Sequence, residues 1–181
     1  MSSSNILIAF GTRPEVIKCA PVYNAFQKAE NWQVTTLHTG QHTDLTEQLT
    51  DFFNIRVDHN LNVMQPGLSL DRLHAKIMQR TAEVLDDIEP DFILAQGDTL
   101  SVLCLAESAF FRKIPFIHLE AGLRTYDLSQ PFPEEMHRQV VSRLSTIHLC
   151  STKKALENLQ QEHINVKHAH VVGNTVIDAL L

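Results

Sequence analysis

Between residues 115 and 138 the sequence reads PFIHLEAGLRTYDLSQPFPEEMHR, a segment dense in acids and bases. Carboxylates such as Glu120, Glu134 and Glu135 can take up and return a proton, and guanidinium groups such as Arg124 and Arg138 can hold an anion or orient a carboxylate. The apolar run 115–119 reads as a buried strand of a parallel sheet, and ligands of open α/β sheets bind beyond the carboxyl ends of such strands. Glu120 and Arg124 are therefore well placed for chemistry. Glu134 and Glu135 also have a plain reading, because a helix dipole favours acids in its first turn. For that pair alone both readings stay open.

Other chemistry-bearing residues fall at similar places. Asp98 follows an apolar run, 91–95, in the tetrad QGDT. Arg13 and Lys18 lie in FGTRPEVIK, just after a first apolar run, where a helix N-terminus could join them in holding phosphate or a charged sugar. This is not the dinucleotide fingerprint GxGxxG, since Gly11 stands alone. Gln41 and His42 follow a third run, 33–38, although a turn histidine is ordinarily a surface or capping residue. His168 and His170 are spaced HxH with no further ligand close in sequence and are not read as a metal site. Cys104, in an apolar helix, reads as a small core residue.

The elements that must carry these groups alternate. Strands are expected over 5–10, 33–38, 91–95, 115–119, 146–150 and 168–172, with a short irregular strand and loop in 55–66. Helices are expected from Thr12 to about Lys28, over about 44–53, 69–88, 100–112 and 134–144, and from Thr152 to about His163. Thr12 and Glu15 have capping-box spacing, with Pro14 in the first turn, and Ser151 or Thr152 suits an N-cap. Strand–helix alternation implies right-handed crossovers and a parallel sheet covered on both faces. The fold class is thus α/β, a Rossmann-like parallel sheet. The last residues, 176–181, begin a helix and stop on two leucines, which reads as the first part of something longer.

With 181 residues, 44% of them hydrophobic, one domain with one well-buried core is expected. A formal net charge of -6 argues against a broad nucleic-acid footprint. Cys19, Cys104 and Cys150 are far apart and form no CxxC pair, so neither a disulfide framework nor a zinc site is suggested, and a reduced compartment fits. The start, MSSSNILIAFGTRP, lacks the features of a signal peptide, and no uncharged stretch could span a bilayer. A cytoplasmic protein with no membrane partner is expected.

Six motifs in order, FGTRPEVIK (10–18), TGQH (39–42), QGDT (96–99), HLEAGLRT (118–125), PFPEEMHR (131–138) and GNTVIDAL (173–180), resemble the non-hydrolysing UDP-N-acetylglucosamine 2-epimerases. The resemblance spans essentially the whole chain. It departs in QGDT where HGDT is common, and in Leu100 and Ser101 where threonine is frequent. The family resembled has a two-domain fold of the glycosyltransferase-B type, and this sequence matches only the N-terminal domain. Residues 1–173 would then form that domain, and 174–181 would begin the connection to a C-terminal domain that binds UDP.

The resemblance implies interconversion of UDP-N-acetylglucosamine and UDP-N-acetylmannosamine, in cell-surface polysaccharide biosynthesis, by elimination and return of UDP. It assigns catalysis to Asp98, Glu120, Glu134 and Arg138, and substrate binding to Arg13, Lys18, Gln41 and His42. It implies no cofactor or metal, a UDP-sugar as ligand and a homodimer. On these grounds Asp98, Glu120 and Glu134 should converge at one sheet edge, with Arg138 near Glu120 or Glu134. The isolated chain should fold yet lack turnover. The rival readings are a sugar-nucleotide transferase or hydrolase on the same architecture and a non-catalytic partner-binding module.

Overall fold

A computed structural model describes residues 3–40, 44–65 and 67–181. Its centre is a seven-stranded sheet in the order β3-β2-β1-β4-β5-β6-β7, with every pairing parallel. The strands are β1 (Ser4–Phe10), β2 (Trp32–His38), β3 (His59–Asn60), β4 (Phe92–Gln96), β5 (Phe116–Ala121), β6 (Ile147–Cys150) and β7 (Ala169–Val171). The helices are α1 (Arg13–Gln27), α2 (Asp44–Phe52), α3 (Leu70–Ile88), α4 (Leu100–Arg112), α5 (Glu134–Leu144), α6 (Lys153–Gln161) and α7 (Val176–Leu180). The Rossmann-like α/β architecture expected from strand–helix alternation is the one observed.

Alternation along the strands sorts the core into two layers. In β1, Ile6, Ile8 and Phe10 face α1, packing with Val16, Cys19 and Ala20. Leu7 and Ala9 face the other way, into a layer shared with Ile77 and Leu85 of α3, Cys104 and Leu105 of α4, and Val141 of α5. Since both faces are covered, the central strands are mostly apolar on both sides, the polar exceptions being buried His118 in β5 and residues at the strand ends. A smaller cluster, Ala121, Cys150, Ala155 and Leu159, seats α6. All three cysteines are free and buried. No described helix is long and apolar enough to cross a membrane.

Local sequence sets the helix ends. Glu15 reaches back to the backbone N–H of Thr12 at 2.9 Å, the acidic half of the expected capping box. Thr152 caps α6 by accepting from the N–H of Ala155 at 3.1 Å. The stripe on α3 buries Leu73, Ile77, Thr81 and Leu85 but leaves Leu70 exposed, because Leu70 is the first helical residue and projects past the core. In α7, Ile177 and Leu180 are exposed, and Thr175 just before it donates to the carbonyl of Lys18 on α1 at 2.7 Å.

Strand order reverses between β1 and β4, since the chain winds outward to β2 and β3 on one side and to β5, β6 and β7 on the other. The loops beyond those two strands diverge there and leave the crevice in which such sheets bind ligands. Asp98, Glu120, Arg13 and Lys18 all belong to segments that leave the carboxyl ends of β1, β4 and β5.

Candidate active site

Each carboxylate reaches the crevice by a different local device. At the end of β4 the N–H of Gly97 still pairs with the carbonyl of Leu119, at 3.0 Å, so the ladder runs one residue past the strand. Gly97 then turns with φ +87°, a left-handed conformation that glycine adopts without penalty, and the chain passes over the sheet edge into Asp98. Glu120 is presented by a bulge. Leu119 pairs with Leu149 and Ala121 with Cys150, so Glu120 is the extra residue, and it adopts φ 67°. A left-handed glutamate costs on the order of 1 kcal/mol and persists only where its surroundings impose it; bulges near sites characteristically re-aim a side chain. Glu134 is the first residue of α5, delivered by the proline-rich loop, and is half-buried.

The bases pair with these acids in two groups. Lys18 Nζ lies 2.6 Å from Glu120 Oε2, and the amide of Gln96 donates to the same oxygen. Arg138 lies 2.6 Å from Asp98 Oδ2 and 3.5 Å from Glu135 Oε2. Burial pushes the Asp98 carboxyl above its ordinary range; Arg138 pulls it down, while the nearby charges of Glu134 and Glu120 push it up, and the net result is raised. Three acids thus share one neighbourhood, and a carboxyl with a raised pKa is suited to accepting and then returning a proton.

The ion-pair partners of Arg138 are Asp98 and, one helical turn away, Glu135, and Asp98 in turn feels the charges of Glu134 and Glu120. Arg124 is turned away from the crevice. Its side chain is fully buried and forks onto Glu162 with contacts of 2.6 and 3.1 Å, while donating to Ser142 at 2.9 Å. Arg13 is exposed and lines an open hollow with Pro14, Ile17, Gln48 and Leu49. Gln41 and His42 lie outside the described residues.

Several supporting groups are visible only in three dimensions. Glu135, adjacent to Glu134, is wholly buried and accepts from the N–H groups of Thr125 and Tyr126 at 3.0 and 3.1 Å and from Gln139 at 2.8 Å. Burial alone would raise its pKa, but these donors and Arg138 outweigh it and hold the carboxyl low, so it stays an anion that folds the loop. Glu15 bridges the switch point. It accepts from Gly11 N–H at 2.6 Å and from the Thr99 hydroxyl at 2.7 Å, tying the start of α1 to the start of α4 beside Asp98, and burial pushes its pKa up.

Two histidines fix the Asp98 turn. His118 donates from Nε2 to the carbonyl of Gly97 at 2.7 Å, and His137 from Nδ1 to that of Asp98 at 2.8 Å. Burial pushes His118 down to about 3, which leaves it neutral, with the proton on Nε2. Its cross-strand partner His148 is likewise pushed down to about 4. His118 and His137 stand in the HLEAGLRT and PFPEEMHR motifs, but no spacing rule shows that both reach the same turn.

A doubly wound parallel sheet with three acids and two paired bases at its switch-point edge defines an α/β protein equipped for acid–base work on an anionic ligand. Comparison with known proteins narrows this class. The family model for UDP-N-acetylglucosamine 2-epimerase matches residues 24–181. A probable UDP-N-acetylglucosamine 2-epimerase of Ralstonia solanacearum is 42% identical over 176 residues, covering 97% of this chain and 47% of the relative. The UDP-N-acetylglucosamine 2-epimerase of Salmonella typhimurium is 40% identical over the same shares. Among solved structures, the Neisseria meningitidis enzyme bound to UDP-GlcNAc superposes with a TM-score of 0.94 at 42% identity, covering 97% of this chain and 47% of that one. The Methanocaldococcus jannaschii enzyme in complex with UDP-GlcNAc and UDP gives a TM-score of 0.88 at 33% identity, covering 97% and 48%. The chain belongs to the UDP-N-acetylglucosamine 2-epimerase family. It spans about half the length of the curated relatives it matches.

Proposed function

We propose that this chain is the carboxylate-bearing N-terminal half of a cytoplasmic, homodimeric enzyme that interconverts UDP-N-acetylglucosamine and UDP-N-acetylmannosamine for cell-surface polysaccharide synthesis. The observation that carries the reading is the grouping of Asp98, Glu120 and Glu134, with Arg138 on the first and Lys18 on the second. In the forward step a carboxylate takes the proton from carbon 2 as the anomeric carbon–oxygen bond breaks. The electron pair forms the double bond of a glycal, and UDP leaves with the bonding pair. In the return step a carboxylic acid on the opposite face delivers a proton to carbon 2, and UDP re-adds at carbon 1.

That sequence needs acids on both faces of the ring, and the cluster supplies more than one. It also needs cations for the negative charge that gathers on the departing diphosphate. Arg138 orients Asp98 and faces that charge; Lys18 holds Glu120; Arg13 takes the diphosphate end, and Gln41 and His42 are assigned to substrate binding by the family resemblance alone. Residues 1–173 form the domain that carries this machinery, and 174–181 lead into the half that grips UDP. On this reading the isolated chain binds a UDP-sugar poorly and does not turn it over, since positioning contributes about 7–11 kcal/mol of barrier lowering.

The deciding experiment incubates the full-length protein with UDP-N-acetylglucosamine in deuterated water and follows carbon 2 by NMR. Deuterium at carbon 2 together with the manno epimer is the expected result. Free sugar or transfer product with protium retained at carbon 2 would replace the epimerase with a hydrolase or transferase.

A further inference from the structure

Helix α4 is largely apolar from Leu100 to Phe111, broken by Ser101, Ser108 and one charge. Glu107 is the only charged residue in that run, and it stands at the edge of the face that meets α3, partly exposed. Cys104 precedes it by three positions on the same helix, so both side chains project from one face. Opposite them is His74 of α3, whose Nε2 is 2.7 Å from Glu107 Oε2. The Cys104 sulfur lies against the same residue, 3.8 Å from the carbonyl of His74. The three ligand-type atoms, one sulfur, one imidazole nitrogen and one carboxylate oxygen, all lie within 4.8 Å of one another. Cys104 is buried, while His74 and Glu107 are partly exposed, which leaves a path in from solvent.

We propose that His74, Cys104 and Glu107 form a binding site for a divalent transition metal of the zinc type, which pins α3 to α4. The donor set selects the metal: a thiolate and an imidazole suit zinc or cobalt, whereas magnesium and calcium require oxygen ligands throughout. One thiolate and one carboxylate balance a dication, and water takes the fourth tetrahedral position. Tetrahedral zinc holds neighbouring donor atoms about 3.3–3.6 Å apart, from bond lengths of about 2.0–2.3 Å. The His74–Glu107 hydrogen bond therefore opens by roughly half an ångström, and the sulfur, now within 4.8 Å of both atoms, closes in by up to about 1.3 Å. On binding, a sulfur–metal bond replaces the Cys104 S–H bond and that proton leaves to solvent, while the His74 Nε2–H that faced Glu107 is also given up, the ring keeping a single proton on Nδ1 so that Nε2 is free to ligate. The site shares no residue with the acid cluster beyond β4 and β5. Its role is structural, and it does not depend on the epimerase reading.

Cobalt provides the test because thiolate ligation adds a near-ultraviolet charge-transfer band that imidazole and carboxylate ligands do not. The purified chain, free of any affinity tag and stripped of metal, is titrated with cobalt, and zinc is then added in competition. The expected result is a charge-transfer band that saturates at one equivalent and is abolished by zinc, with a metal-dependent rise in the melting temperature. Cys104→Ser should eliminate the band, and Glu107→Gln should weaken cobalt binding at least about tenfold. If Cys104→Ser does not fold, His74→Gln decides the matter, and unchanged cobalt affinity there overturns the site. Failure of the band to appear overturns it too, including the case where cobalt binds only at the exposed His168 and His170. So does a band that survives in Cys104→Ser, which would arise at Cys19 or Cys150.

Discussion

Glu120 and Arg124 leave the same strand end in one short loop, yet their surroundings are opposite. Arg124 is sealed: its guanidinium is saturated by Glu162 and Ser142, and the pair bridges β5's loop to α6. Glu120 remains partly open at the crevice, pairs with Lys18, sits on a left-handed backbone, and adds its charge to those of Asp98 and Glu134. Both clusters pair acid with base, but one buries its pair and fixes geometry, whereas the other sets three acids against two bases at a partly open edge. The lesson is that the number of ionisable groups in a loop says little until each is assigned to a partner.

The sealed cluster should produce the largest stability effect. Arg124→Leu leaves Glu162, in a nearly buried site, with only the longer contact to Arg143 at 3.9 Å, and breaking such a pair costs up to about 3–5 kcal/mol. Urea unfolding should show that loss, and adding Glu162→Leu should recover much of it; a loss under about 1 kcal/mol would erase the distinction between the clusters. At the open cluster the effect moves from stability to rate. Glu120→Gln in the full-length enzyme should lower turnover by about a hundredfold or more, with stability changed by less than about 1 kcal/mol. Wild-type turnover in that variant would assign proton transfer elsewhere.

A third experiment probes the layer beneath both clusters, where His118 and His148 are buried beside the charge of Arg124. Burial holds them at about 3 and about 4, below the ordinary value of 6.5. As pH falls below 6.5 the unfolded chain takes up protons that the folded chain refuses, so stability is lost toward acid. Between pH about 6.5 and about 5 each histidine should remove roughly 1–2 kcal/mol, and His148→Leu should flatten the profile. An unchanged pH slope in that variant would mean that His148 is not the buried neutral group described. The smallest stability effect belongs to Glu134→Gln, whose turnover in the full-length enzyme should fall about as far as that of Glu120→Gln. Removing that negative charge should lower the Asp98 pKa, read by carbon-detected NMR, while stability moves by less than about 0.5 kcal/mol. An Asp98 titration identical to wild type would detach Glu134 from the cluster.

Most of the fold was legible because strand and helix periods are local. The expected runs 5–10, 33–38 and 134–144 match β1, β2 and α5 to within a residue or two. Asp98, Glu120 and Glu134 could be placed at one sheet edge because each follows a recognisable element. Pairing was not legible. Nothing in the PEEMHR string says that Glu135 points inward while Glu134 stays at the rim, or that Arg138 reaches Asp98, since those choices depend on where α5 packs. The capping box identified Glu15 as a local device, but its bond to Thr99 spans the switch point. Neither strand pattern nor motif revealed the bulge at Glu120. His74 and Cys104, thirty residues apart, meet only because α3 and α4 pack side by side.

Gly122 turns with φ +89°, and a Cβ placed there would lie 2.2 Å from the carbonyl oxygen of Ala155 in α6. The obstacle is backbone, so no rotamer change can relieve it, and the amide N–H of Ala155 is itself tied to the Thr152 cap. For an evolving lineage this position has no single-step neighbours: any replacement of Gly122 demands that the whole of α6 be reseated at once. The neighbouring Leu123, which is exposed, can drift by ordinary side-chain repacking. Gly122 thus divides the loop into a part open to gradual change and a point that can only be kept or lost.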